Sequence, residues 1–130
     1  MDPHFYLTHE RLLESYEIEG QFEEARQVGI LNYPEFGKMK PRPDKNGYWR
    51  GVLEVARQKT ETRGETYIDR ILHAIAWAQL GEHEKSISWL EKSAENEDDL
   101  LPSWIHSPIL DPLHGDPRYN ALVRKLNLAP

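Results

Sequence analysis

Histidine and carboxylate side chains are the main candidates for catalysis or metal binding in this chain, because its sequence contains no cysteine. The histidines are His4, His9, His73, His83, His106 and His114. His4 and His9 do not have the spacing of three or four positions that places two residues on one helix face. The sequence also lacks the zinc motif HExxH, the nucleophile motif GxSxG and the glycine-rich phosphate-binding motifs. It therefore predicts a protein that is not an enzyme and has no metal site or cofactor.

The spacing of apolar residues predicts that helices position these side chains. The predicted helices cover residues 2–19, a segment from Gln21 or Phe22 to Pro34, residues 47–61, 65–80 and 82–95, and a last helix capped by Asp116. Between them, residues 34–47 are dense in proline and glycine, which predicts a long ordered loop. The helix 65–80 is apolar on nearly every side, so we expect it to be central, with His73 packed and hydrogen-bonded inside the fold.

Net charge and hydropathy limit the kinds of partner. The 130 residues carry a formal charge of −6, unlike the strongly basic domains that bind nucleic acid. No stretch approaches the roughly 18 apolar residues of a membrane helix, and the N-terminal sequence lacks the pattern of a signal peptide. The sequence predicts a cytoplasmic protein with no membrane or nucleic-acid partner.

Charge is distributed unevenly along the chain. Residues 38–63 are basic, whereas residues 1–37 and 64–99 are acidic. The basic segment is typical of an exposed loop and helix face, and it also fits a patch that meets an acidic partner, an acidic helix or a phosphate.

Two short segments of the chain are alike. Gly20 and Gly81 each follow a large aromatic residue by four positions, Tyr16 in the first case and Trp77 in the second. Each glycine precedes a small residue by five positions. This pattern predicts two helix hairpins, because glycine allows the tight turn and the small residue lets the helices approach closely.

At these residues the sequence resembles the tetratricopeptide repeat (TPR) family. The first match comprises Asp2-Pro3-His4-Phe5, Leu12, Tyr16, Gly20, Phe22 and Ala25, and the second comprises Ala74, Trp77, Leu80, Gly81, Ser86, Leu90 and Ser93. Trp89-Leu90-Glu91-Lys92, Ile109-Leu110-Asp111-Pro112-Leu113 and Asp116-Pro117-Arg118-Tyr119 are similar to the C-terminal end of TPR segments in bacterial regulators. The resemblance implies an all-α array of antiparallel helix pairs, a solenoid, that binds or scaffolds other proteins.

The sequence departs from the repeat pattern in its middle. Gly20 and Gly81 are closer together than the ~68 residues that two full repeats span. Gly29 replaces the large residue that the family prefers late in the second helix. We therefore expect one TPR-like domain over residues 1–130. It would contain a first repeat at about 2–33, an irregular loop and helix at 34–63, a repeat at about 65–95 and a capping tail at 96–130.

The family geometry would place one face of the first helix on the concave side, where these arrays hold peptides. The predicted partner-binding residues are Leu7, Glu10, Glu14 and Glu17 on that helix, with Ile71 and Ile75 on the central helix. The carboxylates favour a basic protein segment, while the apolar stripe of the central helix requires cover from residues 47–61 or from a partner. Two alternatives are a self-associating module, hence a homo-oligomer, and a small-ligand or peptide sensor with a pocket near Trp49, Trp77 and Trp89.

Overall fold

The computed structural model describes the backbone of residues 3–99 and 101–128, and the side chains of residues 11–99 and 101–127. All regular elements in these ranges are helical. The α-helices are α1 Pro3–Glu19, α2 Phe22–Asn32, α3 Lys45–Arg63, α4 Tyr67–Gln79, α5 His83–Glu95, α6 Leu101–Trp104 and α7 Pro117–Leu128, with 3-10 helices at Pro34–Lys38 and Pro108–Leu113. The chain divides into two compact units, an N-terminal unit Met1–Val55 and a C-terminal unit Ala56–Pro130.

A tight glycine turn joins α1 to α2 in the N-terminal unit. Gly20 has φ +77°, its N–H donates to the carbonyl of Glu17, and the N–H of Gln21 donates to the carbonyl of Tyr16 at 2.9 Å. These two bonds form a Schellman motif, which satisfies the last carbonyls of α1. Ala25, just beyond the turn, is fully buried. The sequence prediction of a helix hairpin at Gly20 is confirmed.

An aromatic cluster forms the core of the N-terminal unit. Tyr48 lies at its centre, with ring centroids 5.2 Å from Phe22, 6.3 Å from Phe36 and 4.9 Å from Trp49. Gly29 makes room for this cluster, since a Cβ there would lie only 2.2 Å from the ring of Phe36. A ring from the first 3-10 helix thus fills the space beside α2 where the repeat pattern calls for a large helical residue.

The segment between α2 and α3 is hydrogen-bonded to a carboxylate of α2. Glu23 accepts two bonds from Arg26, one from Gln27 and one from the backbone N–H of Arg42, which has φ +53°. These hydrogen bonds, those from Arg26 first, lower the pKa of Glu23 to about 2. Asp44 then caps α3 by accepting from the backbone N–H of Gly47 at 2.7 Å, so α3 begins at Lys45, ahead of the predicted start.

The C-terminal unit repeats the hairpin geometry. Gly81 has φ +84°, its N–H donates to the carbonyl of Ala78, and the N–H of Glu82 donates to the carbonyl of Trp77 at 2.9 Å. The small residue predicted at the crossing is Ser86, whose buried hydroxyl donates to a backbone carbonyl of α4. The two segments that are alike in sequence therefore adopt the same Schellman turn.

The tail, residues 101–128, packs on the α4–α5 hairpin. The 3-10 helix Pro108–Leu113 contacts α4, and α7 contacts α5. Gln79 donates its side-chain amide to the carbonyl of Ile109 at 2.7 Å, and the hydroxyl of Tyr119 donates to the carbonyl of Ile105. Asp116 caps α7 as predicted, by accepting from the backbone N–H of Arg118. The tail buries most of its apolar side chains: Leu101, Ile105, Ile109, Leu110, Leu113, Tyr119 and Leu122.

Candidate functional site

The histidines with described side chains occupy different environments. His73 is 9% exposed, and its Nδ1 is hydrogen-bonded to the carbonyl of Asp69 at 2.7 Å, which confirms the predicted packed histidine. His106 and His114 are exposed in the tail, and His83 begins α5. The side chains of His4 and His9 lie outside the described residues. Within the described part of the chain, no three His, Asp or Glu side chains converge as metal ligands.

The predicted partner-binding residues are divided by the structure. Leu7 and Glu10 belong to α1, and their side chains lie outside the described residues. Glu17 accepts a hydrogen bond from the hydroxyl of Tyr48, which directs it toward the interior of the N-terminal unit. Ile71 and Ile75 are each 4% exposed, so their stripe is core and offers no surface for a partner. Burial satisfies the requirement that this apolar stripe be covered.

Glu14 lies in a surface cavity of 330 Å³ on α1. The cavity is lined by Arg11, Glu14, Ser15, Ile18 and Glu19, which form the α1 stripe. Its residues recur at intervals of three and four positions and so share one helix face. Ile18 is 48% exposed, which places an apolar side chain in water between two carboxylates. This face is one residue further round the helix than the predicted stripe, because Glu17 turns inward to Tyr48.

The equivalent face of α4 is closed. Aligning Gly20 with Gly81 matches the α1 stripe to residues Leu72, Ile75, Ala76, Gln79 and Leu80. Ile75 and Ala76 are buried, and Gln79 is hydrogen-bonded to the tail. The position of Gln79 corresponds to that of the exposed Ile18. One face of the repeated hairpin is therefore covered in the C-terminal unit, and its counterpart in α1 is open and polar.

A second cavity, of 450 Å³, lies on the C-terminal unit. We call it the indole pocket, and it is lined by Trp77 of α4, by Glu84, Lys85, Ser88 and Trp89 of α5, and by Arg118 of α7. The sequence predicted a pocket near three tryptophans. Trp77 and Trp89 do share this cavity, whereas Trp49 is 1% exposed in the aromatic core of the N-terminal unit.

The ring of His73 stacks on the indole of Trp89. Their rings stack with centroids 4.1 Å apart and an angle of 17° between planes. Burial lowers the pKa of His73, so the neutral imidazole is favoured against the indole. The ammonium of Lys92 lies 5.0 Å from the centroid of Trp89. These contacts hold the indole in one orientation at the edge of the pocket.

An ion-pair network connects α4 and α5, two of the helices that line this pocket. Arg70 donates two bonds to Asp98, at 2.8 and 2.7 Å, and one to Glu65. Lys92 donates to Glu65, and the hydroxyl of Ser93 donates to Asp98. The hydrogen bonds from Arg70, and then from Ser93, lower the pKa of Asp98. The network joins the start of α4 to the end of α5 and to the turn that follows α5. It thereby stabilises the helix that carries Trp89.

Two cations at the end of the basic segment 38–63 form ion pairs with carboxylates of the C-terminal unit. Arg63 donates two bonds to the fully buried carboxylate of Asp69, which also accepts from the backbone N–H of Thr66 in a capping box. Arg57 pairs with Glu61 on the exposed side of α3. Arg57 and Arg63 thus stabilise the end of α3 and the start of α4.

Comparisons with protein-family models, with curated proteins and with solved structures find no match for this chain. None of the described helices has both the length and the hydrophobicity that crossing a bilayer requires. Function has to be inferred from the α1 stripe and the indole pocket themselves.

Proposed function

We propose that the chain is a non-catalytic protein-interaction module of the TPR type, which holds a basic segment of a partner protein on α1. The matched hairpin turns at Gly20 and Gly81 support the repeat assignment, since both combine a left-handed glycine with the same two hydrogen bonds. In helical repeat proteins each hairpin buries its apolar faces against its neighbours, and the remaining faces are available for partners.

The open α1 stripe is the observation that carries this proposal. Its counterpart on α4 is covered by the protein's own tail through Gln79, while Ile18 on α1 is half exposed. A face that the same fold covers in one hairpin has a shape that accepts a packed segment of chain. In α1 this face carries two carboxylates, Glu14 and Glu19, against one cation, Arg11, so the excess charge is negative and favours a basic segment.

The side chains of the α1 stripe define what the partner must supply. Lysine or arginine would pair with Glu14 and Glu19, and one apolar side chain would cover Ile18. Exposed ion pairs contribute little affinity individually, but they orient the segment and accelerate its association. The apolar contact then supplies the part of the affinity that salt does not weaken.

Fluorescence anisotropy with the labelled peptide Lys-Lys-Leu-Lys-Lys tests this proposal. The double variant Glu14→Lys with Glu19→Lys should bind the peptide about tenfold more weakly than the wild type, from the loss of two surface ion pairs. The control is Glu24→Lys with Glu95→Lys, which makes the same change in net charge at exposed positions of α2 and α5. Equal weakening by both variants would show only general attraction to an acidic protein and would refute the site.

A second copy of the chain is the alternative occupant of this surface, because Leu12 and Leu31 are exposed in the same unit as Ile18. Sedimentation equilibrium separates the two cases. A mass that rises with concentration and returns to that of a monomer in Ile18→Lys would identify a homo-oligomer and replace the basic segment in the proposal.

A further inference from the structure

The indole pocket differs in charge from the α1 stripe, since two cations, Lys85 and Arg118, and one carboxylate, Glu84, line it. Its two tryptophans are both half-buried and face one cavity of 450 Å³, a size that holds an aromatic side chain. Flat aromatic groups gain from offset or edge-to-face contacts with indole beyond the area that they bury. The apolar part of the ligand is therefore an aromatic ring.

The cations of the pocket define the polar part of the ligand. The ammonium of Lys85 lies 4.3 Å from the centroid of the Trp77 ring and makes no ion pair with any residue that the structure describes. Arg118 uses one amino group for Glu91, at 2.6 Å, and its side chain is 45% exposed. A guanidinium has five N–H donors, so Arg118 retains donors for another acceptor. Lys85 and Arg118 together offer an anion two positively charged donors.

A cationic ligand fits this pocket poorly. Ammonium groups of this chain already lie near both indole rings, Lys85 at Trp77 and Lys92 at Trp89, so another cation would meet like charge. A polyanion such as single-stranded RNA would bring a run of phosphates against the carboxylate of Glu84 in the pocket wall. One or two carboxylates beside a ring satisfy the cations without this repulsion.

We infer that the indole pocket binds an acidic peptide segment with an aromatic side chain, the ring between Trp77 and Trp89 and the flanking carboxylates at Lys85 and Arg118. The pocket is open to solvent, which leaves room for the peptide backbone on either side of the ring. None of the residues of the α1 stripe lines this pocket.

Anisotropy titration of the full chain with the labelled, C-terminally amidated peptide Gly-Asp-Phe-Asp-Gly, which carries one carboxylate on each side of the ring, tests the inference. Lys85→Met keeps an apolar side chain over Trp77 but removes the charge, and should weaken binding roughly tenfold, the loss expected for one charge-assisted hydrogen bond. Lys125→Met makes the same change at an exposed position of α7 outside the pocket and should leave the affinity unchanged. Replacing Phe by Leu in the peptide should weaken binding several-fold, through loss of the ring contacts.

Four outcomes would overturn the inference. The first two are absence of binding at millimolar protein and equal affinity of Lys85→Met and wild type. The other two are equal affinity of the Phe and Leu peptides, and tighter binding of Gly-Lys-Phe-Lys-Gly or of a uridine decanucleotide. Reversal of Glu14 and Glu19 should leave this titration unchanged, so failure of one site is distinguishable from failure of the other.

Discussion

Replacement of Gly29 by alanine should destabilise the protein, although alanine is the better helix former. Gly29 lies inside α2, where glycine is less favourable than alanine by roughly 0.5–1 kcal/mol. A Cβ at this position would lie 2.2, 2.5 and 3.1 Å from three ring atoms of Phe36. The first two distances are far inside van der Waals contact, and Phe36 is itself 1% exposed, so the ring has no open space to move into.

The sign of the effect follows from these two opposing contributions. Forcing a methyl group into a packed core costs about 1–3 kcal/mol, because side chains or backbone must shift. A contact of 2.2 Å belongs to the upper part of this range, about 2–3 kcal/mol. Subtracting the gain in helix propensity of roughly 0.5–1 kcal/mol leaves Gly29→Ala about 1–2.5 kcal/mol less stable than the wild type. In a Phe36→Leu background the ring is absent, so the same substitution should cost less or stabilise the protein.

Urea unfolding followed by circular dichroism measures all four proteins of this double-mutant cycle. Gly37→Ala is the matched control, since nothing lies within 4 Å of a Cβ at that position, and its effect should stay within about 0.5 kcal/mol. Stabilisation by Gly29→Ala in the wild-type background, or the same cost with and without the Phe36 ring, would refute the packing argument.

Three further predictions concern the C-terminal unit. In Arg70→Lys the lysine cannot make both hydrogen bonds to Asp98, whose side chain is 6% exposed. The free energy of unfolding in urea should fall by about 1–3 kcal/mol, and an unchanged midpoint would contradict this. Burial lowers the pKa of His73 below the ordinary 6.5, so the unfolded state takes up the proton first as the pH falls. The free energy of unfolding should therefore decrease from pH 7 to pH 5, and less so in His73→Phe; equal decreases would rule out His73 as the cause. Gly81→Ala should lower the free energy of unfolding by about 1–2 kcal/mol, because alanine is strained at φ +84°. Gly81→Asn should recover part of this loss in thermal unfolding, and equal melting temperatures for alanine and asparagine would argue against strain as the cause.

Local signals in the sequence predicted most of the helical elements. Gly20 and Gly81 mark the turns, and Asp116 caps α7, because these effects depend on a few neighbouring residues. The 3-10 helix at Pro34–Lys38 was predicted only as part of a loop. Its position depends on the contact between Phe36 and α2, which joins residues that no local pattern relates.

The candidate sites were harder to predict for the same reason. The apolar and acidic spacing of α1 identified Glu14 but missed Arg11, Ser15, Ile18 and Glu19. Successive helical residues are about 100° apart, so a face one residue further round is a different surface. Which face stays open depends on the hydrogen bond that Tyr48 donates to α1, and this long-range contact has no signature in the spacing.

The tail covers a face of the second hairpin that stays exposed on the first. Because the 3-10 helix Pro108–Leu113 is covalently joined to α5, it meets α4 at an effective concentration of the order of millimolar, as short tethers generally provide. A free segment with the same intrinsic affinity would have to exceed that concentration to displace it. Among the described residues, no segment of the chain covers Ile18 of α1, the position equivalent to Gln79 of α4. Chain connectivity, as much as residue type, therefore determines which copy of a repeated surface stays open.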